Sequence, residues 1–228
     1  MGDLIDIAAV VLGQSERRVE VAAQNVANVS TPGYKRRVSF SSLAGKNGPV
    51  EAASSVDFSP GKAIVTHNPS DLAVLGNGFF QVRSEQGVFY TRQGQFQLDK
   101  QGRLVTPQGY VLQAQDGGDL VLQGGAFQVQ ADGTVLEDGD PVGTLGVVDI
   151  DTKAAVPVQD GLFSAPASAA TAASAPVVRQ GMLESSNVSS AEEMLGMMEA
   201  LRQAEAAQKL SGVYDDLLGQ ALSTFGQG

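Results

Sequence analysis

His67 is the only histidine in this 228-residue chain, and there is no cysteine. Thiol catalysis, disulfides and cysteine-based metal sites are therefore excluded. A Ser/His/Asp triad would be expected to display its nucleophile on a Gly-x-Ser-x-Gly elbow, and none is present. His67 has no partner motif and reads as structural. The acid run Glu137-Asp138-Gly139-Asp140 lacks the Asp-x-Asp-x-Asp-Gly order of a calcium loop and reads as a solvated turn. No Walker or dinucleotide glycine pattern appears, and no carboxylate spacing supports a hydrolase. The two Asn-Val-Ser triplets, at Asn28 and Asn187, are too short to carry weight as glycosylation sites. These residues predict no enzyme, no cofactor, no metal and no small-molecule substrate.

The polar residues with informative spacing are two asparagines. Asn25 and Asn28 are three apart, so they share a helix face. Either they form a polar helix end, or they are a buried pair that sets helix register in an assembly. Pro32 and Gly33 follow. Proline removes an N–H and disfavours helical geometry at Thr31, so the helix is expected to stop by Val29 or Ser30.

The elements that must position this stretch are two terminal helices and a long β-rich middle. Residues 3 to 29 carry a 4-3 seam of Leu4, Ala8, Val11, Ser15, Arg18, Ala22, Asn25 and Val29, widened by Ile7, Val10, Val21 and Val26. From Ser190 the chain again reads as helix, opened by a Ser190–Glu193 capping box. Met194, Met197, Met198, Leu201, Ala204, Leu210, Val213, Leu217, Leu218 and Leu222 give it a broad apolar face. Residues 34 to 65 read as an extended connector with a turn at Lys46-Asn47-Gly48-Pro49. Residues 66 to 163 alternate short strands with glycine turns, as an antiparallel barrel or sandwich does. The Ala/Ser-rich run from Ser164 to Pro176 reads as a linker.

Composition narrows the partners. The net charge of −10 argues against nucleic acid and against anionic lipid. No stretch approaches the length of a membrane span. The N-terminus has Asp3 and Asp6 and a short apolar run, so no cleavable secretory signal is expected.

Asn25-Val26-Ala27-Asn28-Val29-Ser30-Thr31-Pro32-Gly33-Tyr34-Lys35 closely resembles the N-terminal motif of the flagellar rod, hook and hook-associated family. Asn187-Val188, Glu193-Met194, Met197-Met198, Arg202, Glu205 and Lys209 resemble its C-terminal motif. Between them, Asn68-Pro69-Ser70-Asp71-Leu72, Gly76-Asn77-Gly78-Phe79-Phe80 and Tyr90-Thr91-Arg92-Gln93-Gly94 look like its core β domain. Ala204 and Ala207 depart from the aromatic residue and the asparagine often found at those places. Within the family, the short connector and Glu16-Arg17-Arg18 resemble a proximal rod subunit; a distal rod subunit is the alternative.

The resemblance implies an α+β chain. Residues 1–33 and 180–228 would pair as a coiled-coil inner polymerisation domain. Residues 34–65 would be the connector, 66–163 the β-rich core and 164–179 the linker and return. It implies a structural subunit exported unfolded by the flagellar type III apparatus, polymerised with other rod subunits, and sited in the basal-body rod across the periplasm. The implied assembly residues are Asn25, Asn28, Thr31, Gly33, Tyr34, Asn187, Val188, Glu193, Met194, Met197, Met198, Leu201 and Arg202. A reading of another class is a secreted carbohydrate-binding β module that stacks sugars on Phe79, Phe80, Phe89 or Tyr90.

Overall fold

The computed structural model describes residues 3–43 and 50–225. The turn expected at Lys46-Asn47-Gly48-Pro49 and the side chains of Leu4, Leu218 and Leu222 lie outside the described residues. The chain is α+β, with a helix near each end and a β-rich middle. It divides into two compact units. One comprises Met1–Val29, Arg36–Asp57 and Val188–Gly228, the other Ser30–Lys35 and Phe58–Asn187.

The first unit is built on α1 (Asp3–Ala27) and α2 (Ser190–Phe225). They run antiparallel: Asn25 meets Glu193, Arg18 meets Gln203, and Ile5 shares a hollow with Leu210 and Leu217. Small residues make the contact. Ala8, Ser15 and Ala22 are buried at seven-residue intervals on α1. On α2 the buried residues are Glu193, Ala200 and Ala207, also seven apart. Half-buried Met197, Ala204, Ser211 and Tyr214 fill the intervening positions. The buried positions of both helices thus repeat every seven residues and are mostly alanine or serine, and interaxial distance follows the side chains at the contact.

Of the expected α1 seam, Ala8, Ser15, Ala22 and Asn25 are buried. Arg18 is instead exposed and donates to the Gln203 amide oxygen at 3.2 Å. The larger difference lies on α2. Of its broad apolar face, Met194, Met198, Leu201, Leu210, Val213 and Leu217 are all 42 to 59% exposed. One partner helix covers one stripe, and α1 takes the alanine stripe.

Strand β1 (Arg37–Leu43) pairs antiparallel with β2 (Val50–Val56), from Arg37 opposite Val56 to Leu43 opposite Val50. Much of the expected connector is therefore a strand pair in the helical unit. Ser190 is not the cap of α2. The Ser189 carbonyl takes the first helical bond, from Glu193 N–H at 3.0 Å, and the Glu193 carboxylate points elsewhere.

The second unit is β throughout, apart from one short 3-10 turn. The strands that enter it pair with the strands that leave it. Thus β3 (Ala63–Val65) and β4 (Leu72–Leu75) anticipate the last two strands, Val177–Gln180 and Met182–Glu184. Strands β5 (Phe79–Ser84) and β6 (Gly87–Thr91) form a hairpin at the centre of the largest sheet. That sheet extends on one side through β7 (Gln97–Leu98), β8 (Leu104–Val105) and β9 (Val111–Leu112). Strands β10 (Phe127–Val129), β11 (Thr134–Glu137) and β12 (Asp140–Thr144) make a separate meander. Strand β13 (Val147–Ile150) joins β5, while β14 (Val156–Pro157) and β15 (Leu162–Ser164) extend the sheet beyond β6. Strands β16 (Ala170–Ala172), β17 (Val177–Gln180) and β18 (Met182–Glu184) complete the unit. The main sheet has two open ends at β14 and β7, so it is not a closed barrel.

Alternation along β5 puts Phe80 and Val82 into one core, where Phe80 meets Phe96 edge-on at 5.4 Å. Phe79, on the other face, packs with Phe58 and Phe163. Phe79, Phe80 and Tyr90 are buried, so none of these three is a surface platform for sugar. The Ala/Ser-rich run is partly ordered by backbone alone. Ala167–Ala169 form the 3-10 turn, and β16 pairs with β13. Backbone bonds of this kind need no large side chain.

The β11–β12 turn corrects one expectation. Asp138 and Gly139 both have positive φ, 51° and 96°, as a two-residue type I′ hairpin requires. Glu137 is not solvated. It is buried, and its two carboxylate oxygens accept Gln123 N–H at 2.9 Å and Gly125 N–H at 2.8 Å. These backbone donors, Gln123 foremost, hold its pKa below the ordinary value. The resulting stabilisation is present above the unfolded value of about 4.3 and lost as pH falls through the folded one. Glu137→Gln leaves one N–H facing an NH2 group. It should lower the urea midpoint at neutral pH, and the gap to the parent should close below about pH 4. A gap of equal size at both pH values would contradict this account.

Candidate functional site

The stretch from Asn25 to Arg37 is where a helix must become a strand, and each compact unit contains a polar node built from part of it. In the helical unit the node is centred on Asn25, which is 0% exposed. Its Nδ2 donates to the Arg37 carbonyl at 2.8 Å, and its Oδ1 accepts Arg37 N–H at 2.9 Å. The side-chain amide thus pairs with a peptide group as a neighbouring strand would. A carboxamide carries both donor and acceptor, and asparagine has the reach. Nδ2 also donates to Glu193 Oε2 at 3.1 Å. The other Glu193 oxygen accepts Arg36 Nε. Asn25 and Glu193 therefore join α1, the start of β1 and the first turn of α2.

Asn28 has a separate role. Its Nδ2 donates to the Gln24 carbonyl at 2.8 Å, and its own N–H is shared between the carbonyls of Gln24 and Asn25. These bonds satisfy the carbonyls at the end of α1, two residues earlier than Val29.

In the β unit the node is centred on Glu184. Lys35, Arg92 and Glu184 each have side chains 5% exposed or less. Glu184 Oε1 accepts Lys35 Nζ at 2.7 Å and Gly61 N–H at 2.7 Å; Oε2 accepts Arg92 at 3.4 Å. Two cations face one anion, and carbonyl dipoles supply the balance. Lys35 also donates to Ser59 O, and Arg92 to Val74 O and Gly76 O. Burial pulls the Arg92 guanidinium below its usual pKa, with Glu184 opposing. Arg92 further stacks over the Phe79 ring at 4.8 Å.

Gly33 is fixed by the same node. Its φ is +70°, its N–H donates to Glu184 O at 2.7 Å, and a Cβ there would fall on the Arg92–Gln93 peptide. The Thr31 carbonyl accepts Tyr34 N–H, and Asn187 Nδ2 reaches Ser59 O at 3.0 Å. Thr31, Tyr34, Asn187 and Val188 are half-buried.

The expected residues thus fall into four places. Asn25 and Glu193 belong to the helical node, and Asn28 and Val188 lie elsewhere in the helical unit. Thr31, Gly33, Tyr34 and Asn187 lie in the β unit. Met194, Met198, Leu201 and Arg202 are exposed on α2, with Met197 half-buried. Sequence reasoning passed over Lys35, Arg36, Arg92 and Glu184 as functional residues. The available signal was Lys35-Arg36-Arg37, a basic run directly after Pro-Gly-Tyr in an acidic chain. Among the described residues no cluster of His, Cys, Asp or Glu is disposed to hold a metal ion, and no helix is long and apolar enough to cross a membrane.

Comparison with known proteins covers both nodes. Residues 7–35 match the model described as flagella basal body rod protein. Residues 73–162 match the flagellar hook protein FlgE/F/G D1 domain, and residues 179–224 the flagellar basal body rod FlgEFG protein C-terminal model. The flagellar basal-body rod protein FlgF of Salmonella typhimurium is 32% identical over 232 residues, covering 91% of this chain and 92% of its own. FlgF of Escherichia coli K12 is 32% identical over 233 residues, with the same coverage. The rod protein FlgG of Bacillus subtilis is 27% identical over 246 residues, covering 91% of this chain and 93% of its own.

Two substitutions test the nodes. Asn25→Asp removes the donor to Arg37 O and sets a second carboxylate against Glu193. It should destabilise the helical unit by about 1–3 kcal/mol, more than the isosteric change in volume allows. An unchanged urea midpoint would refute the strand-mimic role. Glu184→Gln leaves Lys35 and Arg92 buried without their counter-charge, and should cost about 3–5 kcal/mol in the same measurement.

Proposed function

The chain belongs to the flagellar basal-body rod family as a structural subunit like FlgF, and from that premise we propose how it is built into the rod. It takes the proximal place, leaves the cytosol unfolded through the flagellar type III export apparatus, and polymerises helically in the periplasmic part of the shaft. Its partners are further copies and neighbouring rod proteins, and it catalyses nothing. The helical unit, with β1 and β2, forms the polymerisation domain, where α1 and α2 pair as a coiled coil, and the β unit forms a sandwich-like core.

The observation that carries this reading is the apolar face of α2. Met194, Met198, Leu201, Leu210, Val213 and Leu217 are largely exposed in the single chain. Six large apolar side chains left exposed along one helix mark interaction surface. Methionine suits contacts with unlike neighbours, because its side chain is flexible and polarisable. A head-to-tail contact repeated along a helical path grows a filament rather than a closed ring. Asn25, Asn28 and Glu193 hold the helix ends that present this face, and Thr31, Gly33, Tyr34, Asn187 and Val188 are further contact residues of the assembly. Met194, Met197, Met198, Leu201 and Arg202 meet the neighbours.

Leu201→Glu separates assembly from folding. The substitution is on the surface, so the urea midpoint of the isolated chain should stay within about 0.5 kcal/mol of the parent. Incorporation into basal bodies purified from cells lacking the native chain should be lost. Normal incorporation of the folded variant would refute the assignment of this face.

A further inference from the structure

Three turns of the β unit converge on a cleft of about 360 Å³. They are the β5–β6 turn at Glu85 and Gln86, the turn before Tyr110, and the loop between β14 and β15 around Gln159. The floor is buried Leu162. Two walls are aromatic. Phe89 and Tyr110 are half-buried, backed by the main hydrophobic core, and both line the cleft.

The polar lining is specific in kind. Gln86, Gln108 and Gln159 are exposed amides, each with donors and an acceptor. Glu85 adds one carboxylate. Lysine and arginine are absent from the lining, so the cleft is unsuited to phosphate or to an acidic peptide. The Tyr110 hydroxyl donates to Asp160 Oδ2 at 2.9 Å, and Asp160 is held at φ +57° in the loop. A non-glycine residue in that region is strained, and the strain is offset by a bond that fixes the aromatic wall. Gly109, at φ +91°, has open space where a side chain would stand, so the backbone there can be approached closely.

We infer that this cleft is a binding site for a neutral saccharide of one or two rings, with C–H faces against Phe89 and Tyr110 and hydroxyls on the three glutamine amides and Glu85. Apolar walls with a few placed amide and carboxylate groups are what a ligand with one apolar face and many hydroxyls needs. The volume lies at the low end of small-molecule sites, which limits the ligand to that size.

The test uses the full-length chain and three probes: cellobiose, maltose and N,N′-diacetylchitobiose, with inorganic phosphate as an anionic control. Backbone resonances of Gln86, Gln108, Tyr110 and Gln159 should shift saturably with at least one disaccharide and not with phosphate. The double variant Gln108→Ala/Gln159→Ala changes only exposed side chains, so its thermal midpoint should match the parent while its affinity falls by about tenfold or more. The inference is overturned if no disaccharide shifts these resonances, if the shifts survive in the folded double variant, or if phosphate shifts the same residues. None of these results bears on incorporation into the rod, which Leu201→Glu tests separately.

Discussion

The buried contact between Lys35 and Glu184 is the constraint on which the β unit depends. Taking both groups out of water is expensive, and a buried ion pair by itself often gives little net stability. What it supplies is position. Glu184 is the last residue of β18, Lys35 follows the Pro-Gly exit, and Gly61 and Arg92 bind the same carboxylate. Four segments distant in sequence are thereby held at one point, and any other register would leave a buried charge unpaired. Gly33 follows from this geometry, since its backbone lies against the Arg92–Gln93 peptide and no side chain fits.

The helical unit solves a different problem. Its two helices share a seam of Ala8, Ser15, Ala22, Ala200 and Ala207, so they approach closely and bury little apolar area. Most helical stability comes from packing rather than propensity, so a pair joined this way is only modestly stable in isolation. The large Met and Leu side chains remain outside the seam. The unit is thus held in register by Asn25 and Glu193, while large apolar side chains of α2 stay exposed. A structural subunit that must bind several partners benefits from keeping these two tasks on different faces.

The β unit shows how little side-chain signal some strands need. Strand β16 is Ala-Thr-Ala and pairs with β13 through backbone bonds. Strands β3, β4, β17 and β18 join the beginning of the unit to its end, over more than a hundred residues. Hydrophobic periodicity reports which face of a strand is buried, not which strand lies beside it. Strand positions such as Phe79–Ser84 were therefore readable in advance, whereas their neighbours were not.

By itself the sequence determined the helix–β–helix order, the Pro-Gly stop after α1, the absence of thiol chemistry, and the family motifs at both ends. Each depends on local propensity or on residue identity. Only the tertiary structure decided that Asn25 acts as a substitute strand while Asn28 closes a helix, because both look alike as asparagines three apart. It alone put Glu137 under two backbone N–H groups instead of in solvent. It also assigned alanines rather than methionines to the helix seam, because amphipathicity shows that a face is apolar and cannot show which part of it the single partner helix will cover.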